Sequence, residues 1–158
     1  MGVAIWSLRK KCFVQTYVIS TENTVKLRYV AENNVRALNH LISRLRTIIG
    51  ERNPREIVAE MPVGSSRNAS AASKMALAFG AVVALCVACD VPLRMVSPFE
   101  VKRMVDPDAG RKSVPKEKVI EYISRKYGTK LLPKNAKREH VADAMTALDV
   151  YFSLSGRN

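Results

Sequence analysis

Alternation between strand-like and helix-like segments is the feature that most constrains the fold of this 158-residue chain. The first three apolar segments are typical of an antiparallel meander, and alternating helices and strands follow them. This order predicts an α/β fold in which helices flank a mixed sheet, within a single domain. The predicted strands are Gly2–Trp6, Cys12–Ile19, Val25–Val30, Glu56–Glu60 and Pro92–Ser97, and the predicted helices are Asn33–Gly50 (capped by Asn33 or Asn34), Asn68–Asp90, Pro98–Val105, Pro115–Tyr127 and Lys137–Ser153.

The most apolar part of the chain is the run from Met75 to Cys89, which consists mostly of Ala and Val. Its ~15 residues fall short of the ~20 that a membrane-spanning helix requires, so we predict a buried helix. Cys86 and Cys89 form a C-x-x-C pattern within it, but no second Cys or His pair is placed to complete a zinc site. We therefore expect these two cysteines, and Cys12 in the second strand, to be small core residues.

The charge balance indicates the class of partner. The 26 Lys and Arg residues outnumber the 14 Asp and Glu residues and give a net charge of +12. Such an excess attracts a polyanion, most commonly nucleic acid. An anionic membrane surface is the alternative, but the basic residues are spread along the chain rather than concentrated on one amphipathic helix. No signal peptide pattern opens the sequence, so we expect a cytoplasmic, DNA-associated protein.

Three polar residues at two places in the sequence suggest a metal site. Glu60 ends a buried strand, and ligands gather at the carboxyl ends of strands in α/β sheets. His140 and Asp143 share one side of the last helix, together with Glu139. Glu60, His140 and Asp143 would together suit Mg²⁺, or Mn²⁺ because of the histidine. The alternatives are a solvated first helical turn that complements the helix dipole and a strand-end Glu paired with an Arg.

A basic chain with such a cluster suggests a nuclease, and several segments support that idea through resemblance. The order of elements resembles the RuvC-type Holliday junction resolvases, which are ribonuclease H-like nucleases. Five short matches in the same order carry the resemblance, and together they cover almost the whole chain. They are Ala59–Glu60, Asn68–Lys74, Gly80–Ala81, Ser97–Lys102 and Glu139–Ala144.

The resemblance implies a three-layer fold with a five-stranded sheet and a homodimer that cuts four-way or otherwise branched DNA by two-metal hydrolysis. It also implies Mg²⁺, with Mn²⁺ as a substitute, and it assigns roles to residues. Glu60, His140 and Asp143 would be metal ligands and catalytic residues, and Lys116 would be catalytic as well. The residues expected to bind DNA are Arg67, Lys102, Arg103, Arg111, Lys112, Lys116 and Lys118.

Two departures from the family pattern affect the expected activity. The family opens with a strand that carries a metal-binding aspartate, whereas Met1–Trp6 aligns with the following strand, so we expect that the chain is truncated or begins at a miscalled start codon. Where many members carry an aromatic residue that probes the junction, this chain has Val63–Arg67. The alternatives are a junction-binding homologue with impaired catalysis and another ribonuclease H-like enzyme that processes nucleic acid.

Overall fold

A computed structural model describes residues 1–20, 29–62, 69–108, 114–135 and 137–156. The α/β class predicted from the sequence is confirmed. The strands are β1 (Gly2–Ser7), β2 (Cys12–Val18), β3 (Ile57–Glu60) and β4 (Leu93–Val96), and the helices are α1 (Val30–Arg52), α2 (Ala69–Ala88), α3 (Pro98–Val105), α4 (Lys116–Tyr127) and α5 (Arg138–Ser155).

The strands of the described residues form two separate two-stranded sheets, β1 with β2 and β3 with β4. Most of the predicted third strand, residues 25–28, lies outside the described residues, and Val30 begins α1 instead of ending that strand. The five-stranded sheet implied by the resemblance therefore stays a prediction.

The chain divides into two compact units. One unit contains residues 1–19, 58–60 and 95–158, and the other contains residues 20–57 and 61–94. The single-domain organisation expected from the sequence stays a prediction.

The β1–β2 hairpin forms one side of the first unit. Gly2 pairs with Val18 and Ser7 with Cys12, and a bulge between Ile5 and Trp6 shifts the register. The Trp6 ring contacts three other aromatic rings at centroid distances of 5.0, 6.0 and 5.1 Å, those of Phe13, Tyr127 and Phe152. Aromatic edges and faces attract each other at such distances, so this cluster ties the hairpin to α4 and α5.

Helix α5 is the central element of the first unit. Val141, Ala142, Met145 and Val150 are at most 1% exposed. The first three pack against the hairpin and α4, whereas Val150 packs with residues of β4 and α3. Helix α5 is thus fixed on several sides, which holds its first two turns rigidly.

Helix α3 begins at Pro98, as predicted, and its start is stabilised by a capping box. The Ser97 hydroxyl accepts a hydrogen bond from the Glu100 amide (3.2 Å), and the Glu100 carboxylate accepts one from the Ser97 amide (2.6 Å). Pro98 occupies the first turn, where no amide hydrogen is needed.

Helices α1 and α2 form most of the second unit. Helix α1 begins after Tyr29, so the predicted cap at Asn33 or Asn34 is wrong, and it ends at Arg52, two residues beyond the predicted end at Gly50. The Asn33 amide donates back to the Tyr29 carbonyl instead of capping a helix start. At the other end, Asn53 adopts a left-handed conformation (φ 43°), which asparagine tolerates and which ends the helix.

The prediction that the Ala-rich helix is buried is wrong. Only Leu85 and Cys86 of α2 are buried, and α1 is the described element that packs most closely beside it. Among the described residues, α2 is the one helix whose length and apolar composition would allow it to cross a membrane, which by itself is weak evidence. The cysteine prediction holds for Cys86, whereas Cys89 is half-buried and Cys12 is exposed.

Candidate active site

Glu60 lies at the carboxyl end of β3, in the first unit. Glu60 is exposed as a whole residue, yet loss of hydration and the nearby Asp143 carboxyl raise the pKa of its side chain. The Lys102 ammonium opposes part of this rise. The influence of Asp143 on Glu60 indicates that β3 and α5 bring these two carboxyls near each other.

Asp143 lies in the second turn of α5 and is half-buried. Loss of hydration is the largest cause of its raised pKa; Glu139 adds to the shift, and His140 and Lys116 oppose it. The Asp143 carboxyl also disfavours the charged form of Glu60, and a cation beside these carboxyls would be stabilised. Their oxygens are the ligands that Mg²⁺ prefers, so the pair fits such an ion.

The third predicted ligand, His140, is placed differently. Its residue is exposed, and its Nε2 lies 4.0 Å from a Glu139 carboxylate oxygen. Within the ranges that the structure describes, no three His, Cys, Asp or Glu side chains are arranged to hold one metal ion. The geometry thus supplies two carboxylates, with His140 on the adjoining turn, and its role as a ligand stays a prediction.

Gly2 sets the distance between the hairpin and this part of α5. A Cβ atom at Gly2 would overlap the carbonyl oxygen of His140. Only glycine lets β1 approach the helix backbone this closely. Close backbone packing therefore fixes the first turn of α5, which carries Glu139 and His140.

Lys116 lies at the start of α4 and forms an ion pair with Glu139, at 2.7 Å between Nζ and a carboxylate oxygen. The hydrogen bond to Glu139 is the largest cause of the raised pKa of Lys116, and Asp143 contributes to it. The same contact lowers the pKa of Glu139. Lys116 therefore remains a cation at neutral pH, suited to contact a phosphate rather than to remove a proton.

The remaining residues predicted to bind DNA fall into three groups. Lys102 lies near Glu60 and lowers the pKa of that carboxyl. Lys118 pairs with Asp106 at 2.7 Å, and the guanidinium of Arg103 lies over the Phe99 ring. Arg67, Arg111 and Lys112 lie outside the described residues.

Sequence reasoning missed two residues of this surface. Glu139 was placed beside His140 and Asp143 without a role of its own, yet it forms the ion pair with Lys116. Glu139 precedes Asp143 by four residues and therefore lies on the same side of the helix, and this spacing could have indicated that Glu139 belongs to the site. Phe99 was not considered, and an aromatic residue in the first turn of a short basic helix gives no periodic signal.

Comparisons with known proteins show what this arrangement resembles. No protein-family model and no curated protein sequence matches the chain. Among solved structures, Thermus thermophilus RuvC in complex with a Holliday junction substrate matches with a TM-score of 0.72 at 18% identity, covering 99% of this chain and 88% of that one. A Thermus thermophilus RuvC structure matches with a TM-score of 0.65 at 20% identity, covering 92% and 81%. The chain therefore has the RuvC-type, ribonuclease H-like fold that its sequence resembles.

Proposed function

We propose that this protein is a structure-selective DNA endonuclease that resolves four-way junctions or other branched DNA. The observation that carries the proposal is the Glu60–Asp143 carboxyl pair, flanked by the cations Lys102 and Lys116 on a RuvC-type fold. The similar Thermus thermophilus protein has been solved with a Holliday junction substrate, which supports DNA of this kind as the partner. We place the activity in the cytoplasm, in association with DNA.

Mg²⁺, or Mn²⁺ in its place, would be held by Glu60 and Asp143, with His140 near enough in sequence to contribute. Such an ion would supply an activated water molecule and would stabilise the leaving oxygen of a phosphodiester. Side chains of the protein bind and position the DNA. Lys116 and Lys102 attract and position the phosphate, and Glu139 holds the Lys116 side chain in place beside Asp143.

The test is a cleavage assay in Mg²⁺ or Mn²⁺ with three labelled substrates: a four-way junction, a linear duplex of the same sequence and an RNA–DNA hybrid. Cleavage confined to the junction supports the proposal. Cleavage of the hybrid but not of the junction would instead support another nucleic-acid-processing role for the same fold.

A second candidate is a protein that binds junctions without cutting them. It is favoured by the fact that the described residues hold two close carboxylates and no three-ligand group. Tight junction binding with no cleavage in either metal would select this function. Absence of both binding and cleavage would reject both candidates.

Substitution of Lys116 by alanine is expected to weaken DNA binding. One charge-assisted hydrogen bond to phosphate would be lost, so the dissociation constant for a four-way junction should rise about tenfold. The dependence of log K on log salt should become shallower by about one unit, because one counterion fewer is released. Fluorescence anisotropy at four salt concentrations measures both quantities.

Lys10→Ala is the matched control, since it removes one exposed lysine at the turn end of the hairpin, away from Gly2. It changes the net charge by the same amount. Equal losses for the two variants would show that only overall charge matters and would contradict a specific role for Lys116.

We also propose that the protein is a homodimer. Helix α2 exposes large apolar side chains, among them Met75, Leu77 and Val87 at 47%, 43% and 77% exposure. Burying such side chains against a second copy would be favourable. We therefore expect light scattering to give twice the 17.6 kDa mass of one chain.

The variant Val87→Glu would place a charge in that surface and is expected to shift the protein toward the monomer. Leu154→Glu is the control, because Leu154 is similarly exposed (64%) but lies on α5. A wild-type protein that is monomeric at all concentrations would contradict the dimer.

A further inference from the structure

Phe99 is an exposed aromatic side chain next to the candidate active site. It lies in the first turn of α3 and is 51% exposed, although phenylalanine is among the residue types most often buried. Helix α3 is held to the rest of the unit by Val101, which packs with Val96, Ala147 and Val150. Phe99 belongs to neither core cluster of the described residues. Core packing therefore does not account for the presence of an aromatic ring at this position.

Two cations share the surface on which Phe99 lies. Lys102 and Arg103 follow it by three and four residues, so all three side chains project from one side of α3. The guanidinium carbon of Arg103 lies 5.7 Å from the centre of the Phe99 ring, within cation–π range. Neither cation forms an ion pair with a carboxylate in the described ranges. The surface therefore combines an aromatic face with positive charge.

The position of Lys102 links this surface to the candidate site. Its ammonium is close enough to Glu60 to oppose the rise in the pKa of that carboxyl. A strand whose phosphate contacts Lys102 would pass within one helical turn of the Phe99 ring. Stacking of bases on aromatic rings beside cations is a general way to bind unpaired nucleotides.

We propose that Phe99, supported by Arg103, is a stacking platform for an unpaired nucleobase of a DNA strand whose phosphates run past Lys102. This inference rests on the proposed function, because it takes DNA as the partner, and it adds the class of nucleotide that the surface recognises. Stacking requires no base-specific hydrogen bond, so the platform tolerates any base. It would hold one unpaired nucleotide near the carboxylates.

The test compares two labelled single strands of equal length and charge, oligothymidine and an oligomer of abasic tetrahydrofuran units. The wild-type protein should bind oligothymidine more tightly than the abasic oligomer. Phe99→Leu keeps an apolar side chain but removes the ring, so its affinity for oligothymidine should fall roughly 5- to 100-fold. Its affinity for the abasic oligomer should stay unchanged, and Phe99→Trp should restore the preference for bases.

Controls separate this inference from the proposed function and from loss of folding. Leu154→Ala, another exposed apolar position in the same unit, should leave both affinities unchanged. If Phe99→Leu binds both oligomers as the wild type does while Lys116→Ala loses junction affinity, the stacking platform is rejected and the DNA-binding function stands. If the wild type binds no DNA, both proposals fail. A Phe99→Leu loss that is equal for both oligomers would also reject stacking.

Discussion

Replacement of Asp143 by asparagine is expected to abolish DNA cleavage while leaving junction affinity nearly unchanged. The change removes one of the two neighbouring carboxylates, and with it charge that would hold a divalent cation. The cleavage rate constant should fall on the order of 10³-fold or more, or about 4 kcal/mol in activation free energy. Single-turnover cleavage of a labelled four-way junction measures this rate, and binding in Ca²⁺ measures affinity.

The affinity should be preserved because binding depends on lysine and arginine contacts to phosphate, which the substitution leaves intact. Asp108→Asn makes the same chemical change at an exposed carboxyl in the loop after α3 and should cut normally. Normal cleavage by Asp143→Asn would show that the site lies elsewhere. A parallel loss of Mn²⁺ binding, measured by electron paramagnetic resonance, would link the defect to the metal rather than to the fold.

The same substitution should make the metal-free protein more stable at neutral pH. The pKa values of Glu60 and Asp143 are both raised, so the folded chain binds protons more tightly than the unfolded chain. Stability from this source is present below the ordinary carboxyl pKa, near about 4, and is lost as the pH rises through the raised pKa. Urea unfolding in chelator should therefore favour Asp143→Asn over the wild type at neutral pH and show little difference in acid.

Much of the architecture follows from local patterns in the sequence. Helices with one apolar face and strands bounded by proline or glycine leave strong periodic signals, and α3, α4 and α5 lie within two residues of their predicted bounds. Glu60 and Asp143 were identifiable because a polar residue that ends an apolar strand or interrupts an apolar helix is conspicuous. Their proximity was predicted from the position of ligand sites in α/β sheets.

The remaining features depend on tertiary contacts that leave no local pattern. Helix α2 has the composition of a core helix, and composition cannot show that only two of its side chains are buried. The Lys116–Glu139 pair joins residues 23 positions apart on two helices. Nothing in the sequence shows that Asp149 is buried among donors from α4. Pairings at such separations depend on the crossing of α4 and α5.

Asp149 is the centre of the most buried polar network in the described part of the chain. It is 1% exposed, and its two carboxylate oxygens accept four hydrogen bonds from three side chains of α4. The donors are the Tyr122 hydroxyl at 2.5 Å, the Tyr127 hydroxyl at 2.5 Å and the Lys126 ammonium at 2.7 and 2.9 Å. Burial, followed by the hydrogen bond to Asp149, raises the pKa of both tyrosines, so both stay protonated donors.

Replacement of Asp149 by asparagine is therefore expected to be the most destabilising single polar change in the first unit. The side chain keeps its shape, but an NH₂ donor would replace one carboxylate oxygen, so one tyrosine hydroxyl and one of the two Lys126 contacts would lose their acceptor. The Lys126 side chain is 42% exposed and can regain water, which places the loss at the lower end of the ~3–5 kcal/mol measured for broken buried pairs. Urea unfolding at neutral pH gives this free energy directly, and the melting temperature should fall by about 6–12 °C.

Asp106→Asn is the matched control, because Asp106 and Lys118 form a pair of the same 2.7 Å length at the surface. Exposed pairs of this kind contribute at most about 1 kcal/mol, so this variant should unfold almost as the wild type does. Lys126→Met should fall between the two, since Asp149 would keep both tyrosine donors while losing its counter-charge. If Asp149→Asn and Asp106→Asn lost equal stability, burial of the Asp149 carboxylate would contribute nothing, and the aromatic cluster of Trp6, Phe13 and Tyr127 would have to account for the docking of α4 on α5 and the hairpin.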